Sequence, residues 1–276
     1  MRQPVPRSEG VPTRYVLAAA FSLVHLRNER RHMAGIREEV IPFPAQYESD
    51  VVLRDGSTLR LRPVRPGDAE ALLALHDRLS QQSQRFRFFG LATSRAGEVA
   101  RLLRADHDNE FVLVAEAGNR LIGAATYVRD STQTDRAEVG FAIADELQGR
   151  GVGTRMLEML AAIARDHHIA TFDAYVMVDN DRMMSVFTDS GFEVQRRLEG
   201  GIFHVVLSLA PTARYEDRAA ARSQAAATAS MESFFAPKTV AVIGSTSLPY
   251  SFVPKWGLLH RSPFIQGCLI GAHINR

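Results

Sequence analysis

A phosphate-binding turn is written in the segment Gln148-Gly149-Arg150-Gly151-Val152-Gly153, followed by Thr154. Glycines at alternate positions let the main chain turn sharply and leave its N–H groups uncovered. Upstream, Val139, Phe141 and Ile143 alternate as on a strand with one buried face, whereas Val152, Met156, Met159, Ile163 and His167 recur at helical spacing. The turn therefore opens a helix, whose first N–H groups lack partners and carry the positive end of the helix dipole. Such a junction receives phosphate. It does not meet the G-x-G-x-x-G spacing of a dinucleotide fold, and no ribose-binding acid follows a second parallel strand.

Glu138 lies on the same strand, opposite in phase to Val139, Phe141 and Ile143. A carboxylate beside an apolar cleft has a raised pKa and accepts a proton directly or through water, so this residue is a candidate base. The competing reading is a strand glutamate in an ion pair with Arg136 or Arg129. Asn180 precedes a helical stretch, where capping is its plainest use.

The chain has 276 residues, 46% hydrophobic and 23% charged, the composition of an ordinary folded protein. A formal charge of +2 gives no compositional support to a general nucleic-acid or membrane-surface role. The single Cys268 cannot form an intrachain disulfide, and no cysteine or histidine cluster has the spacing of a metal site, so no metal is expected and a reducing, cytoplasmic compartment fits. Of 33 basic residues only Lys238 and Lys255 are lysines. An apolar run at Val16 to Leu26 is too short to span a bilayer and is followed directly by RNERRH. Residues 1–49 are expected to be a poorly ordered extension.

The elements that must position these residues follow from periodicity. Residues 51–62 read as a hairpin about Asp55-Gly56, and Asp68 is expected to cap a helix carrying Leu72, Leu75, His76 and Leu79 on one face. The arginine and phenylalanine interleaving of residues 80–90 suggests a packing face with a solvated edge rather than a platform for single-stranded nucleic acid. A second helix spans Ser94 to Arg104. Strands at 111–117 and 121–128 form another hairpin, and a strand at 172–177 leads to a helix at 181–190 stopped by Gly191, with Met183, Val186 and Phe187 inward. Residues 192–198 and 202–209 close the unit as an antiparallel pair. The fold class is α/β in the α+β sense, a mixed, mostly antiparallel sheet flanked by helices.

The glycine turn, as Gln148, Gly151 and Gly153, resembles the diphosphate-binding motif of the GNAT N-acetyltransferases. Asn180, Met183, Val186, Gly191 and Phe192 match a second signature of that family. Residues 61–66, Arg78-Leu79-Ser80, Arg87-Phe88-Phe89-Gly90, Tyr127-Val128-Arg129-Asp130 and Ala137-Glu138-Val139 are similar to bacterial protein-lysine acetyltransferases of the Pat type. The resemblance implies a GNAT domain over residues 50–210 and acetyl-CoA as co-substrate. It implies Glu138 as catalytic base, and an acetyl-CoA site comprising Ile143, Ala144, Gln148, Gly149, Arg150, Gly151, Val152, Gly153, Thr154 and Asn180. In that picture the amides of Ile143 and Ala144 face the acetyl carbonyl, and Asn180 bonds the pantetheine arm or a water. Many relatives have a tyrosine acid where this chain has Phe187; Ser185 and Tyr175 are weak substitutes.

A base is needed because free lysine, with a pKa near 10.4, is neutral in only about one molecule in 2,500 at pH 7. The acceptor implied is the ε-amine of a protein, such as an acyl-CoA synthetase. A small-molecule amine acetyltransferase and a non-catalytic acyl-CoA sensor are the rival readings. Residues 211–230, rich in alanine and arginine, read as a linker, helical if anything. Residues 234–245 resemble the opening strand and turn of a CoA-binding synthetase domain. Pro249, Pro254 and Pro263 then interrupt the pattern, so 231–276 reads as a truncated fragment.

Overall fold

Strands β1 (Ser49–Val52), β2 (Thr58–Pro63), β3 (Glu110–Ala117), β4 (Arg120–Arg129), β5 (Arg136–Ile143), β6 (Thr171–Met177), β7 (Glu193–Glu199) and β8 (Ile202–Ser208) build one sheet, with β3 and β4 continuously buried at its centre and β6 alternating, in a computed structural model that describes residues 42–90 and 94–235. The order is β1-β2-β3-β4-β5-β6-β8-β7, and every neighbouring pair is antiparallel except β5 with β6. The mixed, mostly antiparallel sheet is the one expected. The expectations for residues 1–41 and for 236–276, including Cys268, both lysines and the synthetase-like strand and turn, lie outside the described residues.

Both faces of the sheet centre are buried. On one face Met156, Leu157 and Leu160 of α4 (Val152–Asp166) pack on Leu61, Leu113 and Tyr127, with Phe187 of α5 (Asp181–Ser190). On the other, Leu72 and Leu75 of α1 (Ala69–Asp77) and Val99 and Leu102 of α3 (Arg95–Leu102) cover Val112, Val114 and Ala124. Between α1 and α3 lies α2 (Gln81–Phe88), capped by Ser80, whose hydroxyl accepts from the Ser83 N–H at 3.2 Å.

One local expectation changes. Asp68 precedes α1 but makes no side-chain cap. Its carboxylate instead takes two guanidinium hydrogen bonds from buried Arg62, both at 2.8 Å, and one from the Arg65 N–H at 2.7 Å. Burial alone would raise the Asp68 carboxyl, but Arg62 holds it below its ordinary value. In α5 Met183, Val186 and Phe187 pack against the core as expected, and Met184 is buried beside them.

The stretch read as a linker is a 23-residue helix, α6 (Ala213–Phe235), docked on the domain. The Tyr215 ring stacks on Phe192 at 4.3 Å, and Arg222 donates to the Asp189 and Ser190 carbonyls at the end of α5. Gly191, at φ 98°, ends α5 where a Cβ would meet the Tyr215 main chain at 2.9 Å.

Candidate active site

β5 and β6 pair only through Arg136–Glu138 against Thr171–Asp173. Beyond these residues β5 stays with β4 as far as Ile143, while β6 stays with β8 as far as Met177. The strands part, and the notch between them opens into a cleft of about 1210 Å3. One end holds Glu138 and Tyr175; the middle runs past Phe141, Ile143 and Asn180; the glycine turn and α6 lie further along.

Register decides which main-chain groups face the notch. Ala144 donates its N–H to the Ile122 carbonyl at 2.9 Å, so in this antiparallel ladder the N–H groups of residues 140, 142 and 144 point to β4. Those of Phe141 and Ile143 point the other way, beyond the last β5–β6 pair and toward the gap. The N–H of Ile143 is thus turned to the gap, whereas Ala144 is corrected: its amide is spent inside the sheet and its side chain is buried in the α1–α3 core. Phe141 supplies the second open amide.

The glycine turn is as open as its sequence implies. Gly149 and Gly151 have φ of 77° and 90°, left-handed conformations that favour glycine. Gly153 serves a different need: a Cβ there would meet Ile143 and Val186 at 3.2 Å, so its absence lets α4 approach β5 and α5. The first main-chain bond into α4 is from Arg155 N–H to the Gly151 carbonyl at 3.1 Å. No main-chain N–H from Gly149 to Thr154 has a partner among the described residues. Gly149, Gly151, Gly153 and Thr154 line the cleft, so unpartnered amides and the positive end of a 15-residue helix meet there.

Side chains in the motif do other work. Gln148 Nε2 donates to the Ile143 carbonyl at 2.9 Å and the Ser83 hydroxyl at 3.1 Å, while its Oε1 accepts from Arg182 at 2.8 Å. It clamps the end of β5, α2 and α5 around the turn. Val152 is core, and Arg150 reaches away to Asp55 at 3.6 Å. Asn180 Oδ1 accepts from the Met183 N–H at 3.2 Å, the cap expected of it, and the residue also lines the cleft.

Glu138 is half-buried in the notch, and burial pushes its carboxyl up to about 8, against the pull of Arg87 and with the push of Asp173. It makes no hydrogen bond or ion pair among the described residues. The competing ion-pair reading is not met: Arg136 is bound to Asp173 at 2.8 and 2.6 Å, and Arg129 donates to the Thr134 and His167 carbonyls at 2.6 and 2.8 Å. Tyr175, stacked on His204 at 5.0 Å, shares this end of the cleft, and burial together with the Glu138 and Asp173 charges raises its phenol. Phe187 is buried edge-on against Phe141, and Ser185 lines the cleft.

The arginine and phenylalanine segment contributes more than packing. Phe88 stacks on His76 as a packing residue should, yet it lines the cleft together with Phe86 and Phe89. Arg87 lies against Gly140, where a Cβ would come within 3.2 Å of its guanidinium carbon, and donates to Glu98 at 3.3 Å. Burial would raise the Glu98 carboxyl, yet hydrogen bonds from Arg101 and the charge of Arg87 hold it at about 2. Nothing in the spacing of 80–90 signals this fixed cation behind Glu138; the glycine at 140 is the one trace it leaves.

A sheet that parts after three residue pairs, an open glycine turn at a helix start and a carboxylate in the notch define an acetyltransferase architecture. The acetyltransferase (GNAT) domain model matches residues 58–193, and the chain belongs to the GNAT acetyltransferases, enzymes that transfer acyl groups. The GNAT domain of Pat from S. lividans is 36% identical, with a TM-score of 0.57, and the match covers 60% of this chain and 99% of that one. The acetyltransferase Pat of Mycolicibacterium smegmatis is 30% identical over 168 residues, 60% of this chain. The chain spans 48% of that relative's length.

Proposed function

We propose that the domain moves the acetyl group of acetyl-CoA to the ε-amine of a protein lysine, with Glu138 as the base. The single observation that carries this reading is Glu138 itself, a carboxylate raised to about 8 in the notch, with both neighbouring arginines engaged elsewhere. The residues present fit the co-substrate. The amides of residues 149–154 suit a diphosphate, and the apolar walls with the outward N–H groups of Phe141 and Ile143 suit an amide-bearing arm and a thioester carbonyl.

Glu138 takes a proton from the incoming ammonium, directly or through one water, and the neutral nitrogen attacks the thioester carbon. The oxyanion forms beside the open amides of β5, which carry partial positive charge without reorganising. Collapse breaks the C–S bond, and the nitrogen gives its remaining extra proton to the departing thiolate or to water, leaving the amide and free CoA. A thiolate, with a pKa of about 8.5, leaves with little help, which suits a site with Phe187 where relatives carry a tyrosine. The protein-lysine acceptor is supported by the similarity to Pat.

Purified protein incubated with labelled acetyl-CoA and a lysate lacking the enzyme is expected to label protein lysines, mapped by mass spectrometry. Label confined to polyamines or other small amines would overturn the acceptor assignment, and no transfer despite CoA binding would favour a sensor.

A further inference from the structure

α6 lies outside the stretch matched by the acetyltransferase model, yet Ala221, Arg222 and Ala225 form part of the cleft wall. Three anchors fix its course. Tyr215 stacks on Phe192 beside the end of α5; Arg222 donates through Nε to Glu158 of α4 at 2.7 Å; and the Ala229 main chain lies against Gly56, where a Cβ would come within 3.0 Å. The helix therefore leads from the end of α5, across α4, to the β1–β2 hairpin. Gly56, at φ 81°, is held in the hairpin turn and leaves room for that crossing.

Charge at this end of the cleft is unbalanced. Glu158 accepts from Arg222 and also from Arg155 at 2.9 Å, so one half-buried carboxylate serves two guanidinium groups. Arg54, exposed on the hairpin, lines the cleft with no partner among the described residues. Even with Asp189 at the rim, the cations outnumber the acids, and they adjoin the open amides of the glycine turn. A diphosphate on those amides, with its thioester arm running toward Glu138, leaves one direction for the remainder of the molecule, toward Arg54, Arg155 and α6.

We propose that α6 and Arg54 complete the nucleoside end of the acetyl-CoA site. Ala221 and Ala225, four residues apart and so on one helical face, offer a flat apolar wall to the adenine ring. Arg54, with Arg155, receives the 3′-phosphate, so the domain separates acetyl-CoA from its 3′-dephospho form. The inference rests on the proposed donor but is independent of the acceptor and of the role of Glu138.

The test is calorimetry on the full chain with CoA and with 3′-dephospho-CoA. The wild type is expected to bind CoA about tenfold more tightly than the dephospho form, the worth of one charge-assisted contact at a solvent-open site. Arg54→Ala should remove that preference by weakening CoA alone. Ala225→Glu, an exposed helical position that tolerates the change, should weaken both ligands about tenfold by setting a carboxylate against the wall. Equal binding of the two ligands by the wild type, an Arg54→Ala effect shared by both ligands, or an Ala225→Glu variant of unchanged affinity would overturn the inference. Heat from neither ligand would sink the donor assignment instead.

Discussion

Replacing Glu138 by glutamine removes a titrating group with little change of shape, and the size of the effect follows from its position. A carboxyl at about 8 faces an ammonium at about 10.4, so proton transfer before attack is unfavourable by about 250-fold. From an ordinary carboxylate near 4.5 the same transfer would be unfavourable by nearly a millionfold. Burial in the notch thus improves the proton-transfer equilibrium by about three orders of magnitude. One order is returned at pH 7, where only about a tenth of the residue is ionised. Glu138→Gln should therefore lower kcat/KM for a lysine peptide at pH 7 by about 10²–10³, within the usual range for a general base. The pH profile distinguishes this from structural damage. In the wild type kcat/KM should rise about tenfold per pH unit and level off above about 8. In the variant it should keep rising through 8, following the free amine alone. A variant within fivefold of the wild type, or a wild-type profile without the break near 8, would refute the reasoning, provided CoA affinity is unchanged.

Glu138 also bears on stability, in the opposite direction to most carboxylates. Its folded value lies above the unfolded one, so the protonated form favours the fold, and that contribution is lost as pH rises from about 4.5 through 8. Glu138→Gln should stabilise the domain relative to wild type at pH 8 but not at pH 4, by about 1–2 kcal/mol after allowance for cleft water, read from urea midpoints. Gly151→Ala forces a Cβ into φ 90° and should cost about 1–2 kcal/mol while raising KM for acetyl-CoA, measured by melting and initial rates. Arg62→Met leaves the buried Asp68 carboxylate without its two hydrogen bonds and should cost about 3–5 kcal/mol, seen as a large fall in Tm; a change below 1 kcal/mol would contradict the buried-pair account.

Much of the fold was legible because each element carries its own period and punctuation. Gly191 stops α5, Ser80 and Ser94 start α2 and α3, and Asp55-Gly56 turns the first hairpin. The open glycine turn was equally plain, since glycine spacing dictates how far its main-chain groups are exposed. What sequence could not supply was register. Whether the amide of Ala144 or of Phe141 faces the gap depends on which carbonyl β4 presents to β5. Likewise Asp68 sits where a cap belongs, but Arg62, six residues back on a buried strand, claims it first. Arg87 looked like one arginine among several in 80–90, and only the packing of α2 on β5 sets it behind Glu138. The alanine-rich stretch after Pro211 has the composition of a spacer, yet its arginines find fixed carbonyls and it becomes part of a wall.

The early parting of β5 from β6 has a thermodynamic side. A sheet interrupted at its middle is a structure with a vacant rung, and a ligand that takes the outward N–H groups of Phe141 and Ile143 serves as the missing strand. Whatever fills the seam is then a folding partner as well as a reactant. Its concentration adds to the unfolding free energy in proportion to the logarithm of its excess over Kd, about 2.7 kcal/mol at a hundredfold excess. For the acetyl-CoA donor proposed above, the persistence of the protein becomes tied to the abundance of that donor.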